Sequence, residues 1–246
     1  MCRLMGLVSR TPTTLPDVLG ERWASFVDLS RHHSDGWGLA WLDAGNSLRI
    51  LRETGPAWSS PVFQQAVMTP ARAWLLHFRW ATPGMPVTMA NTHPFEWPER
   101  QLAFAHNGTV SPAAALTELT ADRFKTRRQG TTDSEQYFWA WASAEATTPG
   151  QGFARLLRRF RRAPFTYSGL NTLVLSAGGL EILSAYNPQA PFAQADPSYY
   201  HLHAQQSPDR FVVASSHWEV PGDWTLLAPP QVVRVGSDLT VTATRL

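Results

Sequence analysis

The sequence is poor in cysteine and in lysine. Of its 246 residues only Cys2 is a cysteine, which excludes an intramolecular disulfide and a cysteine-rich metal site. Lys125 is the one lysine among the 21 Lys and Arg residues, and the formal net charge of +2 is too small to indicate a nucleic-acid partner. A single cysteine fits a reducing compartment.

Long apolar runs are lacking as well. Every hydrophobic stretch is well short of the roughly 18–20 residues that a membrane-spanning helix needs. The first residues do not form a signal peptide, because the apolar run from Leu4 to Val8 is too short and Arg10 and Pro12 follow it. We therefore expect a cytoplasmic protein that has no membrane partner.

The remaining composition indicates a folded globular chain. Hydrophobic residues make up 43% of the sequence and charged residues 16%, which argues against disorder. A chain of this length can form one large domain or two small ones. Predicted strands are followed by helices and then by strands again, with no repeat and no linker, so we expect a single α+β domain over residues 1–246.

Hydrophobic periodicity and turn residues predict the order of the elements. A turn is expected over 11–16, and Ser59 or Ser60 is expected to cap a helix. The predicted strands are 2–8, 39–42, 48–51, 73–81, 102–105, 170–176, 180–186, 210–214, 224–228, 231–235 and 239–244, and the predicted helices are 16–31, 59–67, 111–119, 131–146 and 152–163.

Cys2 is a candidate nucleophile. Cleavage after Met1 gives Cys2 a free α-amino group beside its thiol. An α-amine with a reference pKa of about 7.7–8.0 can accept a proton near neutral pH, and a thiol of pKa about 8.5 needs only modest help to become a thiolate. The residue therefore offers nucleophile and base together, although a cysteine at this position can also be incidental.

Three further polar positions lie at the ends of predicted elements. Arg79 lies in a run too apolar for an unpaired cation, so it needs either a structural carboxylate or an anionic ligand. Asn107-Gly108 is either a type I′ hairpin turn or an oxyanion hole made of an amide and a backbone N–H. Asp133 is either the N-cap of its helix or a partner for an ammonium group. His93, before Pro94, is either structural or a site residue.

These residues together resemble a known family. The segments are Met1-Cys2, Arg79-Trp80-Ala81-Thr82, Asn91-Thr92-His93-Pro94-Phe95, His106-Asn107-Gly108 and Thr132-Asp133-Ser134-Glu135. In order and spacing they are similar to the class II, N-terminal-nucleophile glutamine amidotransferases over roughly residues 2–186. The resemblance implies a four-layer αββα fold, with two antiparallel sheets between helical layers, and removal of Met1.

The resemblance also implies a role for each residue. Cys2 attacks the γ-amide of glutamine or of a γ-glutamyl conjugate, its α-amine is the base, and a γ-glutamyl thioester releases glutamate. Asn107 and Gly108 form the oxyanion hole. No metal or other cofactor is expected. The residues expected to bind the substrate are Arg79 and Thr82 at the α-carboxylate, Asp133 at the α-ammonium, His93 in the loop that shapes the pocket, and Trp80.

The sequence departs from the usual members in two respects. They usually carry a second domain that uses the ammonia, and nothing after residue 190 is long enough for one. Pro83 follows Thr82, where the family often has histidine or another residue. Asp35-Gly36-Trp37-Gly38 and Ala81-Thr82-Pro83-Gly84 look similar to a stand-alone subgroup in ergothioneine biosynthesis, which hydrolyses a γ-glutamyl amide. They look similar to uncharacterised stand-alone members as well.

Three functions remain open at this point. The chain could be a stand-alone γ-glutamyl amide hydrolase, the glutaminase subunit of a separate synthase, or a catalytically silent binding module. The sequence leaves open the leaving amine, the acceptor of any ammonia and the oligomeric state.

Overall fold

The computed structural model describes residues 2–147, 150–162 and 165–246. The expected removal of Met1 and the end of the predicted helix at Ala163 lie outside the described residues.

The chain alternates between short strands and short helices. The strands are β1 Arg3–Thr13, β2 Gly36–Leu42, β3 Leu48–Glu53, β4 Ala71–Arg79, β5 Phe95–Trp97, β6 Leu102–Asn107, β7 Val110–Ser111, β8 Thr166–Tyr167, β9 Asn171–Ser176, β10 Gly179–Ser184, β11 Leu202–Gln206, β12 Arg210–Ser215, β13 Thr225–Leu226, β14 Gln231–Gly236 and β15 Val241–Arg245. The α-helices are α1 Leu15–Leu19, α2 Trp23–Asp28, α3 Pro61–Ala66, α4 Ala113–Leu119, α5 Asp122–Lys125, α6 Asp133–Thr147, α7 Gly152–Phe160 and α8 Pro191–Ala195.

Two antiparallel sheets form the centre of the molecule. The first sheet has seven strands in the order β13-β11-β12-β1-β4-β2-β3, and the second has six in the order β15-β14-β10-β9-β6-β5. In the first sheet β1 pairs with β12 on one side and with β4 on the other, with Arg3 opposite Phe78. In the second sheet β6 pairs with β9, and Asn107 lies opposite Asn171.

Alternation along the strands places three apolar layers in the stack. Leu4 and Val8 of β1 pack between the sheets with Leu75, Ala105 and Leu173. The residues on the opposite faces of the strands pack against helices: α1, α2 and α3 cover the first sheet, and α4, α6 and α7 cover the second. The four-layer αββα arrangement expected from the sequence is therefore confirmed.

Two local predictions near the start of the chain are wrong. The turn expected over 11–16 does not begin at Thr11, because β1 continues to Thr13, with a register shift against β4 between Val8 and Thr13. The helix expected over 16–31 is interrupted, since Gly20 has a φ of 56° and separates α1 from a 3-10 turn and α2. Glycine adopts this backbone conformation without the penalty that a Cβ brings.

Other predictions are confirmed or shortened. Ser60 caps α3, and its hydroxyl accepts from the backbone N–H of Phe63 at 3.1 Å. The strand expected over 224–228 is reduced to Thr225–Leu226 at the edge of the first sheet. Strands β5 and β11 and helix α8 were not predicted, since they are short and β11 (Leu-His-Ala-Gln-Gln) carries little apolar signal. Within the described ranges, no helix combines the length and the apolar character that crossing a membrane requires.

Candidate active site

Cys2 directly precedes β1, the central strand of the first sheet. Its thiol donates a long hydrogen bond of 3.7 Å to the carbonyl oxygen of Trp80, which follows the neighbouring strand β4. Cys2 shares the parity of Leu4 and Val8, so its side chain is on the face of β1 that looks toward the second sheet. Burial raises the pKa of the Cys2 thiol, and the nearby charges of Arg79 and Arg3 oppose that rise. A thiol in this setting needs a base before it can attack.

Arg79, the last residue of β4, is a buried cation beside Cys2. Its side chain is 3% exposed, and one guanidinium nitrogen donates to the carbonyl of Pro86 at 3.1 Å. The other terminal nitrogen, Nη1, is buried without a partner. No carboxylate of the described chain forms an ion pair with Arg79. Of the two alternatives for this arginine, the structural ion pair is thus wrong, and an anionic ligand remains.

Asn107 and Gly108 lie at the end of β6. Asn107 is 1% exposed, and neither its side-chain nitrogen nor its side-chain oxygen has a hydrogen-bond partner. Gly108 has a φ of 148°, and a Cβ built on it would lie 1.8 Å from the carbonyl oxygen of Gly169. The hairpin alternative is wrong, because the next strand, β7, pairs with β8 and not with β6. Leaving a buried amide unsatisfied costs about 1–3 kcal/mol, so this position is suited to a ligand.

Asp133 is the first residue of α6. One of its carboxylate oxygens accepts from the backbone N–H of Val110 at 2.7 Å, which ties the segment after the Asn107-Gly108 turn to the helix. The hydroxyl of Thr132 accepts from the N–H of Glu135 at 3.1 Å, as an N-cap does. The N-cap alternative for Asp133 is therefore wrong, and Thr132 has that role.

His93 lies inside the stack. Its ring centroid is 4.3 Å from that of His77 and 4.4 Å from that of Phe95, and both ring nitrogens are buried without a partner. Its carbonyl covers Gly38 so closely that a Cβ there would come within 2.0 Å. Burial holds the pKa of His93 well below its usual value, so the ring is neutral.

Trp80 and Thr82 lie on the exposed segment that follows β4. The Trp80 side chain is 42% exposed, with its ring centroid 5.7 Å from that of His33 and 6.2 Å from that of Phe192. Thr82 is exposed, and its carbonyl accepts from the N–H of Met85 at 2.9 Å, which closes a turn. The structure thus brings Arg79 and Trp80 to Cys2, and it places Thr82 on the outer turn.

Sequence reasoning missed Arg3. Its guanidinium is 2% exposed, and Nη1 lies 3.3 Å from the carbonyl oxygen of Cys2 and 3.4 Å from that of Tyr199. The guanidinium carbon is also 4.7 Å from the centre of the Tyr199 ring. As with Arg79, no described acidic side chain forms an ion pair with it. The available signal was an arginine within the apolar run of a predicted buried strand.

Sequence reasoning also missed Asn171, whose side chain links the second sheet to the segment that precedes β11 of the first sheet. Asn171 donates to the carbonyl of Tyr200 at 2.6 Å and accepts from the N–H of Ala185 at 2.9 Å. Gly169 lies between the carbonyl of Asn107 and the Tyr200 ring, at 2.9 Å and 2.8 Å from where its Cβ would be. The negative charge of a Cys2 thiolate is close enough to raise the pKa of Tyr200, which burial raises most. Asn107 and Cys2 are therefore at the same end of the two sheets.

The arrangement is a cluster of buried polar groups around one thiol, of a kind that can bind an anion. It combines a nucleophile, two buried guanidinium groups without acidic partners, and an amide that no protein group satisfies. Among the residues that the structure describes, no three His, Cys, Asp or Glu side chains converge as a metal site requires.

A protein-family model described as class-II glutamine amidotransferases matches residues 1–190.

Curated proteins with similar sequences include members with and without a described activity. An uncharacterised protein of Methanocaldococcus jannaschii is 29% identical over 149 residues, which are 56% of this chain and 37% of the relative. The γ-glutamyl-hercynylcysteine sulfoxide hydrolase of Mycobacterium tuberculosis is 30% identical over 135 residues, which are 50% of this chain and 57% of the relative. The match thus spans between about a third and somewhat more than half of these relatives.

Solved structures resemble the whole chain. A class-II glutamine aminotransferase domain protein of Silicibacter pomeroyi superposes with a TM-score of 0.69 at 23% identity, covering 100% of this chain and 99% of that one. The glutamine phosphoribosylpyrophosphate amidotransferase of Bacillus subtilis gives a TM-score of 0.65 at 18% identity, covering 99% of this chain and 49% of that one. At these identities the likeness concerns the fold.

Proposed function

The chain belongs to the class-II glutamine amidotransferases and has their N-terminal-nucleophile hydrolase fold, and from this premise we propose that it is a Cys2-dependent hydrolase of γ-glutamyl amides. The substrate is glutamine or a γ-glutamyl conjugate, and the product is glutamate. The relative from Mycobacterium tuberculosis, which is named as a hydrolase of a γ-glutamyl compound, supports the conjugate.

One observation carries the proposal: buried polar groups beside Cys2 have no partner in the protein. Nη1 of Arg79 and both polar side-chain atoms of Asn107 are buried and unsatisfied. A guanidinium edge fits a carboxylate, and an amide N–H fits an oxyanion. A γ-glutamyl group carries the first and develops the second during acyl transfer, so a single ligand would satisfy both residues.

Arg79 and Asp133 orient the substrate in this proposal. The free edge of Arg79 binds the α-carboxylate, and Asp133 binds the α-ammonium group through the carboxylate oxygen that Val110 does not use. Trp80, Thr82 and His93 complete the pocket, with Thr82 reaching the carboxylate when its turn closes. Fixing both ends of the amino acid holds the γ-carbonyl near the sulfur and removes much of the entropy cost of reaction.

The α-amine of Cys2 is the base. Removal of Met1 frees this amine, which takes the thiol proton, and the thiolate attacks the γ-carbonyl carbon. The tetrahedral oxyanion is held by the side-chain amide of Asn107 and the backbone N–H of Gly108. The C–N bond then breaks, and the amine leaves with the proton from the α-ammonium group. Water attacks the γ-glutamyl thioester in the same way, which releases glutamate and restores the thiol.

A second candidate is a glutaminase subunit that supplies ammonia to a separate synthase. It is favoured by the relative named glutamine–fructose-6-phosphate aminotransferase in Idiomarina loihiensis, which is 31% identical over 136 residues that form 55% of this chain and 21% of that protein. In that case glutaminase activity would be low alone and would rise when the synthase is added.

A direct assay tests the proposed function. Purified protein is given glutamine and several γ-glutamyl amides, and glutamate release is measured beside a Cys2→Ala control. We expect release that depends on Cys2 and an intact mass that lacks Met1. Binding without glutamate release from any of these compounds, by protein whose mass shows Met1 removed, would contradict the proposal and favour a silent binding module.

A further inference from the structure

A row of aromatic side chains, exposed in its middle and buried at both ends, lies near Cys2. The aromatic strip consists of His33, Trp80, Phe192 and Tyr199. The ring centroids are 5.7 Å apart from His33 to Trp80, 6.2 Å from Trp80 to Phe192 and 4.9 Å from Phe192 to Tyr199. The contacts are therefore continuous from one end of the strip to the other.

Two contacts connect the strip to Cys2, one through a backbone carbonyl and one through Arg3. The carbonyl oxygen of Trp80 lies 3.7 Å from the Cys2 sulfur. At the other end, the guanidinium of Arg3 packs on the Tyr199 ring and reaches the carbonyl oxygen of Cys2. The strip therefore belongs to the surroundings of the nucleophile.

Arg79 and Trp80 are adjacent at the end of β4. Arg79 shares the parity of Ala73 and Leu75, which face the second sheet, and Trp80 is the first residue after the strand. A γ-glutamyl amide bound with its carboxylate on Arg79 has its amine substituent on the far side of the scissile bond. The exposed ring of Trp80 is a candidate contact for that substituent.

The two middle rings of the strip are exposed, while His33 and Tyr199 at its ends are buried. Trp80 and Phe192 are each 42% exposed, whereas the largest aromatic side chains elsewhere, such as Trp37, Trp74 and Trp141, are essentially buried. Exposed aromatic groups that cluster beside a reactive centre are typical of ligand sites, because their faces lose water when a flat group covers them.

Part of the strip comes from beyond the family match. That match ends at residue 190, and both Phe192, on α8, and Tyr199 follow it. The glutamyl side of the site lies within the matched region, while half of the strip is supplied by a segment outside it. This division fits a shared reaction combined with an individual leaving-group preference.

We propose that the aromatic strip is a leaving-group subsite, and that it selects γ-glutamyl amides whose amine carries an aromatic ring. The inference rests on the proposed function and names its substrate class. The ring of the amine lies against Trp80 and Phe192. The chemistry is unchanged: the sulfur–carbon bond forms, the carbon–nitrogen bond breaks, and the aromatic amine departs with the proton of the Cys2 ammonium group.

The test compares two amides that differ only in aromaticity. γ-Glutamylbenzylamide and γ-glutamyl(cyclohexylmethyl)amide have nearly the same size, and kcat/KM is measured for both by glutamate release. Stacking on exposed rings predicts a preference of about 3- to 10-fold for the benzylamide in the unmodified protein. Phe192→Ala is expected to remove most of this preference and Phe192→Tyr to keep it.

Trp58→Ala is the matched control. Trp58 is 40% exposed, close to the value for Phe192, and it packs on Arg31 away from the strip. This variant is expected to keep the preference, and thermal unfolding of all variants checks that the fold is intact.

Two results would overturn the subsite. One is equal kcat/KM for the two amides in the unmodified protein. The other is a preference that Phe192→Ala leaves unchanged. Both differ from failure of the proposed function itself, in which the unmodified protein releases no glutamate from either amide or from glutamine.

Discussion

A guanidinium nitrogen of Arg3 lies 3.3 Å from the carbonyl oxygen of Cys2, so a buried cation is fixed to the backbone of the candidate nucleophile. The same group is near enough to the thiol to oppose the rise in its pKa that burial causes. A positive charge at this distance favours the thiolate over the thiol and disfavours a protonated α-amine.

Replacing Arg3 by Met is therefore expected to slow the reaction. Loss of a hydrogen bond from a charged group, worth about 1.5–3 kcal/mol, predicts a fall in kcat/KM of about 10- to 100-fold. The pH dependence of Cys2 alkylation by iodoacetamide should move to higher pH, which a purely structural role would not cause. Arg72→Met, an exposed position at the start of β4, is the control. An alkylation profile identical to that of the unmodified protein would contradict the role of Arg3.

Cys2→Ala is expected to abolish glutamate release. Without a nucleophile no thioester can form, so turnover should fall by roughly 10⁴-fold or more. The variant should keep its unfolding temperature, because Cys2 precedes β1 and its side chain is held by one long hydrogen bond, to Trp80. The mass of the unmodified protein is measured in parallel, since full turnover by protein that retains Met1 would exclude the α-amine as the base.

Asn107 and Asn171 form a matched pair of buried asparagines on neighbouring strands. The side chain of Asn107 has no hydrogen-bond partner, so Asn107→Ala should lower kcat by about 10²–10³-fold with little loss of stability. Asn171 holds Tyr200 and Ala185, so Asn171→Ala should lower the free energy of unfolding by about 1–3 kcal/mol. Urea unfolding and steady-state kinetics separate the two effects. A large loss of stability in Asn107→Ala with kcat unchanged would contradict the proposed role of Asn107 in holding the oxyanion.

Gly108→Ala is expected to damage the site through the backbone. The new Cβ would overlap the carbonyl of Gly169, and the φ of 148° already disfavours a side chain. Overpacking of this kind typically costs about 1–3 kcal/mol. Gly55→Ala is the control, because Gly55 has a φ of 98° with no atom within 4 Å of its Cβ position, so it carries only the backbone strain. Equal stability of the two variants would show that the contact with Gly169 yields easily.

The buried histidines are expected to make the folded state sensitive to acid. Burial lowers the pKa of His33 to about 2 and that of His77 to about 3, and it lowers the pKa of His93 well below its usual value. In the unfolded chain these groups take up protons below about pH 6.5. The free energy of unfolding is therefore at its full value above that pH, and it decreases as the pH falls toward the pKa values that these histidines have in the folded state.

The free energy of unfolding is expected to fall by up to about 1.4 kcal/mol per pH unit for each histidine that titrates only after unfolding. Denaturant unfolding at pH 7.5 and pH 5 measures it, and His77→Gln should reduce the difference between the two. A free energy of unfolding that is the same at both pH values would refute this prediction.

The sequence predicted most of the layered fold, and it predicted the short elements less well. Long buried strands such as β4 and β6 were predictable from their nearly continuous apolar residues. The two-residue strand β13 and the polar strand β11 were not, because their pairing depends on neighbours distant in the chain. Gly20 broke a helix whose apolar spacing alone looked uninterrupted.

The residues of the site were likewise predictable only in part. Arg79 was identifiable because a cation in an apolar run needs an explanation, and the same reasoning applied to Arg3 would have found it. Phe192 and Tyr199 could not be assigned, since only the folded chain brings them from beyond residue 190 to Trp80. The roles expected for Cys2, Asn107 and Asp133 stay predictions until the variants are measured.

Strand β1 is held by hydrogen bonds along both of its edges, to β12 and to β4. The residue just before it is consequently clamped at the place where a chain would otherwise fray. Heat inactivation should then coincide with cooperative loss of the whole sheet, without an earlier phase in which the sulfur drifts out of position. The resistance of the reactive centre to heat therefore depends on the stability of the core.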